Sequence, residues 1–230
     1  MLLARVPFDE APFRFSGTVY GTLLNHRDAL AAIGPAAHEA PYKGLPRSVV
    51  LYVKPRNTLV GPGEDMPVDA EAPELEVGAS LGLVIGRVAC RISEGDALEH
   101  LAGYTIVHDV SVPHATFYRP QIRLKARDRS CSMGPRVAAG RELSDPSSLA
   151  IRVFVDGRLA HESRTADLIR SPARLLAEVT DFMTLVPGDV LMTGVAHGAP
   201  RVRAGQQVAT EIDGIGRLEN RFVDAMELVR

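Results

Sequence analysis

Short apolar runs rich in Val, Ile and Leu recur along the 230-residue chain, separated by Gly, Pro, Asn and Asp. That rhythm predicts strands joined by turns, because β-branched side chains suit a pleated surface while Gly and Pro interrupt it. Predicted strands cover Ser48–Lys54, Leu81–Cys90, Tyr104–Val107, Ile151–Val155, Leu159–Ser163, Asp189–Thr193, Gln207–Ile212 and Leu218–Phe222. Asp156-Gly157 predicts a tight hairpin between two of them, and Gly214-Ile215-Gly216 predicts another turn. Helical periodicity is confined to three places. Ser93-Glu94-Gly95-Asp96 forms a capping box before Ala97, Leu98, Leu101 and Ala102. Ser171-Pro172 is a cap with proline at the first helical position, followed by an apolar stripe of Leu175, Leu176, Val179, Phe182 and Met183 that stops at Pro187-Gly188. A weaker helix is predicted over Arg27–Ile33, with loop over Ala36–Leu45. The pattern is therefore an α+β, strand-rich fold with a few short helices: residues 1–47 as a small N-terminal layer and 48–230 as the main domain.

Composition narrows the function classes. A net charge of −2 with no block of like charge argues against nucleic-acid binding. No apolar run reaches the roughly 20 residues that cross a bilayer. Met1 to Pro7 lacks the pattern of a secretory leader, and the two cysteines, Cys90 and Cys131, suggest no disulfide framework. A cytoplasmic protein is the expectation.

Candidate chemistry lies in four segments. Gly78-Ala79-Ser80-Leu81-Gly82 fits the Gly-x-Ser-x-Gly pattern, yet an apolar β-branched run follows where a nucleophile elbow requires a helix. Glu74 and Glu76 alternate, so on a strand both carboxylates face one side and suit a hard cation, or simply a solvated edge. His108-Asp109, with His114 following, offers a strand-end carboxylate flanked by imidazoles, the makings of a metal site or a general base; a plain turn aspartate fits as well. In the stretch 117–129, Arg123, Lys125, Arg127 and Arg129 alternate, so an extended segment places four cations on one face, either to grip carboxylates or to guard a sheet edge. There is no Gly-rich phosphate loop.

A series of segments resembles the fumarylacetoacetate hydrolase superfamily. They are Lys54-Pro55-Arg56-Asn57-Thr58, Val84-Ile85-Gly86, Ala102-Gly103-Tyr104-Thr105, His108-Asp109-Val110-Ser111, Lys125-Ala126-Arg127-Asp128, Gly134-Pro135, Thr165-Ala166-Asp167-Leu168 and Val186-Pro187-Gly188-Asp189-Val190-Leu191. Leu24-Asn25-His26-Arg27, Pro41-Tyr42-Lys43 and Tyr118-Arg119-Pro120 are similar to the family's isomerase/decarboxylase branch. The resemblance implies a mixed β-roll and a homodimer or a hetero-oligomer with a paralogous chain. It implies Mg²⁺ or Mn²⁺ as the cofactor of the superfamily. It also implies a small anionic 2-oxo acid as substrate: 5-oxopent-3-ene-1,2,5-tricarboxylate, decarboxylated, or 2-hydroxyhepta-2,4-diene-1,7-dioate, isomerised, each through a dienolate. A partner subunit with little activity of its own, or an acylpyruvate-type hydrolase, are alternatives. By the same resemblance Asp109, Lys125, His26 and His114 are catalytic candidates, and Arg119, Arg127, Lys54, Asn57, Tyr118 and Thr193 are substrate-binding candidates. Asp109 matches a family metal ligand, but the two family glutamate positions fall at Gly78 and Ser80, with Glu74 and Glu76 four residues early. Ala29 falls where the family motif has a histidine.

Overall fold

In a computed structural model of the chain, the described residues are 17–115, 122–143 and 145–228. In chain order the main elements are β1 (Val19–Leu23), α1 (Arg27–Ile33), β2 (Val50–Lys54), β3 (Leu59–Val60), β4 (Asp65–Val68), β5 (Leu75–Ile85), β6 (Leu101–Ser111), α2 (Ile122–Lys125), β7 (Cys131–Ala138), β8 (Ala150–Val155), β9 (Arg158–Arg164), α3 (Pro172–Phe182), β10 (Val190–Met192), β11 (Arg201–Val202), β12 (Gln207–Ile212) and β13 (Gly216–Asp224). Two sheets result. The larger runs β2-β1-β10-β5-β6-β7-β3, with β11 on the outer part of β5; the smaller runs β4-β13-β12-β8-β9. Residues 19–23, N-terminal to the boundary expected near residue 48, form an interior strand of the larger sheet, parallel to β10 and antiparallel to β2.

The two faces of β5 explain its composition. Val77, Ala79, Leu81, Leu83 and Ile85 pack with Val208, Ile212, Leu218 and Phe222 of the smaller sheet in one core. The other face carries Gly78, Ser80 and Gly82, and on that side of the larger sheet Val19, Tyr52, Val107, Cys131, Met133 and Met192 form a second cluster. A strand covered on both sides reads as one continuous apolar run, which is why its period-2 signal is weak.

The predicted helices divide. Arg27–Ile33 and Pro172–Phe182 are helical, the latter capped by the Ser171 hydroxyl, which accepts from the Arg174 amide at 3.2 Å. The helix expected after Ser93 is only a 3₁₀ turn, Ala97–His100, although the Ser93–Asp96 side-chain bond forms. Leu101 and Ala102 belong instead to β6, whose ladder with β5 extends from Ile85↔Leu101 to Glu76↔Ser111, so tertiary pairing overrides a local propensity worth only tenths of a kcal/mol per residue. The extended cationic face expected from Arg123 to Arg129 is also corrected. Ile122–Lys125 is one helical turn pinned by the Val112 amide to the Leu124 carbonyl (3.0 Å), and Arg129 adopts φ 55, so the four cations share no face. No helix among the described residues is long and apolar enough to cross a membrane.

Alternation along β6 sends neighbouring polar residues to opposite sides. His108 points between the sheets: its Nδ1 lies 3.0 Å from Asn220 Oδ1 and its Nε2 2.8 Å from Thr210 Oγ1. Asn220 Nδ2 donates to the Gly61 and Glu64 carbonyls, which fixes Oδ1 as acceptor, so Nδ1 of His108 carries the proton and Nε2 accepts from Thr210. The metal or proton-transfer site imagined for His108 with Asp109 and His114 is therefore ruled out by geometry. Burial pushes the His108 imidazole down to about 4, partly offset by its bond to Asn220. A folded pKa below the unfolded value means that the unfolded chain binds the extra proton, so stability falls as pH drops from about 6.5 towards 4. Lowering the pH from 7.5 to 5 should remove roughly 2 kcal/mol of unfolding free energy through this residue alone. Urea unfolding of wild type and His108→Gln at both pH values checks this: glutamine can keep both bonds, and its loss over that interval should be smaller by about that amount.

Candidate active site

Beneath the open side of the larger sheet lies a cavity of about 770 Å³. Its wall includes Glu76, Gly78 and Val195, the strand-end residues Asp109 and Ser111, Tyr52 of β2, Lys125 of α2, His114 and Arg201 of β11. One side is made by α1 and the turn after it, with Ala29, Ala32, Ile33 and Ala36 facing in. Register explains why these residues meet. Gly78 is opposite Asp109 and Glu76 opposite Ser111 across β5 and β6, while Arg201 is opposite Glu76 across β5 and β11. Directly opposed residues share a face, so Arg201, Glu76, Gly78, Asp109 and Ser111 form one surface.

At the base is a buried charged cluster. Asp109 is 2% exposed, with Lys54 Nζ 2.8 Å from Oδ1 and Lys125 Nζ 3.1 Å from Oδ2. The Tyr52 hydroxyl donates to Oδ2 as well, and the Lys125 ammonium sits 4.5 Å above the centre of the Tyr52 ring. Lys54 is 1% exposed and directs its three protons at the carbonyls of Lys125 (2.6 Å), Val110 (2.9 Å) and Ser130 (3.1 Å). Its contact with Oδ1 is consequently ionic, and Oδ1 accepts no aligned hydrogen bond. Burial by itself would raise the Asp109 carboxyl. The charges of Lys125 and Lys54, with the hydrogen bond from Tyr52, outweigh that and hold it well below the usual carboxylate range. Burial and the neighbouring Asp109 charge push the Tyr52 phenol well above its ordinary value. Gly21 is paired with Tyr52 across β1 and β2, and the ring lies directly over the glycine where any Cβ would collide.

The other predicted residues separate into those at the cavity and those elsewhere. Lys125, Asp109 and His114 are there; the Nδ1 of His114 lies 2.9 Å from the Val112 carbonyl. Lys54 is not a wall residue but stands behind Asp109. Arg127 is paired with Asp69, and Asn57 bonds Asp128 (2.6 Å) and the Ala126 carbonyl (3.2 Å), so both tie down the loop after α2 instead of facing the cavity. His26 is buried, with Nδ1 2.5 Å from Asp28 Oδ1 and Nε2 3.3 Å from the Arg164 carbonyl, a staple at the start of α1 and not a cavity group. Thr193 is buried beside the cavity without lining it, and its carbonyl accepts from Asn25 at 2.8 Å. Glu74 joins Arg201 and Arg203 in exposed ion pairs at 3.3 Å. Tyr118 and Arg119 lie outside the described residues. Ser80 is fully buried within β5, donating to the Leu81 carbonyl and accepting from the Gly194 amide, both at 3.2 Å, which removes the serine-nucleophile reading. Sequence reasoning missed Tyr52 and Arg201. The first sits in an ordinary strand pattern, and the second is selected only by the β5–β11 pairing.

The residues present do not fit a divalent cation. Such ions want about six oxygen ligands. At the base stands one carboxylate, Asp109, already neutralised by two ammonium groups, and the other carboxylate on that face, Glu76, is one strand repeat away from the position opposite it. Gly78 opposite it has no side chain, and an added Cβ there would meet the methyls of Val195 at 2.7 and 2.8 Å. Among the described residues no group of three or more His, Cys, Asp or Glu side chains could hold a metal.

Comparison with known proteins agrees with the fold. A family model described as fumarylacetoacetate (FAA) hydrolase C-terminal matches residues 18–223. The 4-hydroxyphenylacetate degradation bifunctional isomerase/decarboxylase of Escherichia coli is 39% identical over 92% of this chain. The match spans 48% of that relative, so the chain covers about half the length of the curated relative. The crystal structure of 5-carboxymethyl-2-hydroxymuconate delta-isomerase from Mycobacterium smegmatis superposes with a TM-score of 0.78 at 30% identity, covering 93% of this chain and 81% of that one. Fumarylpyruvate hydrolase from Pseudomonas aeruginosa, solved with Mn²⁺ and pyruvate, shares the fold at a TM-score of 0.80 and 24% identity, over 97% of both chains. With the two-sheet architecture, the isomerase likeness and a family match running from β1 to β13, the chain belongs to the fumarylacetoacetate hydrolase family.

Proposed function

We propose that this chain forms and stabilises the dienolate of a small 2-oxo di- or tricarboxylate, in an isomerisation or a decarboxylation, using a lysine ammonium where metal-bearing relatives use a cation. The carrying observation is the Asp109–Lys125–Lys54–Tyr52 cluster at the base of the cavity. Losing CO₂ from such an acid, or a proton from the carbon next to its oxo group, leaves negative charge on the oxo oxygen. A positive group already in place, in a site poor in water, lowers the energy of that charge more than water can. Lys125 is the ammonium that reaches the cavity, and Asp109 and the Tyr52 ring hold it in position. Lys54 keeps Asp109 ionised from behind, and Asp109 orients Lys125.

The isomerase and decarboxylase names of the relatives support this reading. The candidate substrates are 2-hydroxyhepta-2,4-diene-1,7-dioate and 5-oxopent-3-ene-1,2,5-tricarboxylate, whose several carboxylates suit a cavity carrying Lys125 and Arg201. The alanine and isoleucine wall of α1 disfavours the hydrolase alternative, because Ala29, at the position where the family motif has a histidine, offers no general base on that wall. Assembly with a second copy or with a paralogous chain is part of the proposal, and sedimentation of the pure chain tests it.

Two outcomes test the chemistry. Mg²⁺ or Mn²⁺ titrated into the pure chain should give no stoichiometric heat, and EDTA should leave turnover of either substrate unchanged; tight one-to-one binding whose removal abolishes turnover would sink the metal-free reading. Lys125→Met should lower turnover by about 10²- to 10³-fold, the usual effect of deleting one oxyanion-stabilising group, while circular dichroism still shows the folded chain. Lys54→Met should act on the fold first, costing about 3–5 kcal/mol in urea unfolding because it leaves a buried charge half compensated.

A further inference from the structure

The site described so far stabilises a dienolate, but turning a 2-hydroxy-2,4-diene into its 2-oxo-3-ene isomer also needs a group that delivers a proton to the far carbon of the conjugated chain. Three titratable cavity groups do not qualify on geometry: Asp109 is sealed between two ammonium ions and a phenol, Tyr52 donates its proton to Asp109, and Lys125 holds its charge against Asp109. Glu76 is different. It lies on the same face as Asp109 and lines the same cavity. It is partly exposed, while every other residue of β5 is buried. Its carboxylate has no hydrogen bond or ion pair among the described residues; the nearest guanidinium across the ladder, Arg201, turns to Glu74. One repeat of the strand separates Glu76 from Gly78, the residue opposite Asp109, which is about 7 Å. That is roughly the distance from the oxo oxygen of a bound dienolate to the far end of its conjugated chain. Lys125 arrives from α2, next to Val112 and just beyond Ser111, so its ammonium and the Glu76 carboxylate face the same space. The charged and titratable groups around that space are Lys125, Asp109, Arg201, His114, His197, Tyr42 and Tyr52.

We propose that Glu76 is the proton carrier of this active site, an inference that rests on the dienolate reading above. The 2-hydroxyl of the dienol loses its proton to water, and the O–H electron pair remains on the substrate as the dienolate held by Lys125. The Glu76 carboxyl then delivers its proton to C5: the C4=C5 pair forms the new C–H bond, the C2=C3 pair shifts to C3=C4, and C2=O forms. The carboxylate left on Glu76 takes a proton back from water, and in the reverse direction it removes the C5 proton. No oxidant, reductant or second substrate is needed.

The test follows 2-hydroxyhepta-2,4-diene-1,7-dioate in D₂O by proton NMR, with wild type, Glu76→Gln, Glu76→Asp and Glu76→Ala. Glu76→Gln should lose isomerisation and deuterium incorporation by about 10²- to 10⁴-fold, the range for a deleted general acid–base group. Binding of oxalate, a mimic of the enolate end, should stay within about threefold of wild type, since that contact is to Lys125. Glu76→Asp should retain part of the rate, and added formate should partly restore Glu76→Ala. A Glu76→Gln enzyme with wild-type exchange overturns the assignment while leaving the dienolate reading intact. Equal loss of oxalate binding and turnover, without formate rescue, also overturns it, because Glu76 would then only shape the site. Wild type that neither isomerises nor exchanges the substrate overturns the dienolate reading and this inference with it.

Discussion

Taking a lysine ammonium out of water costs several kcal/mol unless every proton finds an acceptor and the charge finds a partner. Lys54 meets both conditions at 1% exposure, with three carbonyls and the Asp109 carboxylate around one nitrogen. Those carbonyls belong to Val110 at the end of β6, Lys125 at the end of α2 and Ser130 just before β7. One ion from β2 therefore ties together the strand that carries Asp109 and the loop that carries Lys125. The cluster is a structural joint and an electrostatic site at once, and the position of Lys125 over the cavity depends on it.

β6 carries that joint into the rest of the protein. Its successive residues His108 and Asp109 face opposite ways, one bonded to Asn220 and Thr210 of the smaller sheet and the other to the charged cluster. Both are buried polar groups with specific partners, so a register slip by one residue would put an unpaired imidazole in the charged cluster and an unpaired carboxylate in the core. The cost of that exchange fixes the β5–β6 register, and with it the alignment of Gly78 with Asp109 and of Glu76 with Ser111. The floor of the cavity is set by a constraint acting on the opposite side of the sheet.

How much of this is legible in the sequence depends on the range of the interaction. Elements decided locally can be read: the Ser171-Pro172 cap starts α3, Asp156-Gly157 turns β8 into β9, and Gln207–Ile212 forms a strand as the alternation predicts. Elements decided by pairing cannot. Leu101 and Ala102 have helical spacing, yet the long ladder to β5 takes them as a strand. The alternating cations from Arg123 to Arg129 predict a charged face, but the chain closes into a helical turn and sends Arg127 to Asp69. At the site, Asp109, Lys125 and His114 are legible by family likeness, whereas Tyr52 depends on a glycine one strand away and Arg201 on a two-residue strand. Lys54 is legible as a residue but not as a role, since nothing local to Lys54-Pro55-Arg56 says that its ammonium is enclosed by carbonyls from three later segments.

The charges at the base of the cavity follow one line of balance. Gly78 and Ser80 carry no carboxylate, so Asp109 stands alone at the base, and a lone buried carboxylate needs a compensating charge. Lys54 and Lys125 supply two, which leaves the cluster one positive charge in excess. An ammonium differs from a metal ion in that it is covalently tethered and offers hydrogen bonds instead of open coordination positions, so its direction is set by the backbone that holds it. Here that backbone is α2, anchored through Val112 and through Lys54 to the strand bearing Asp109. The absence of a side chain at Gly78 then has a second effect: Val195 packs onto the glycine opposite Asp109, so that Glu76, one strand repeat away, is the β5 carboxylate on the cavity face.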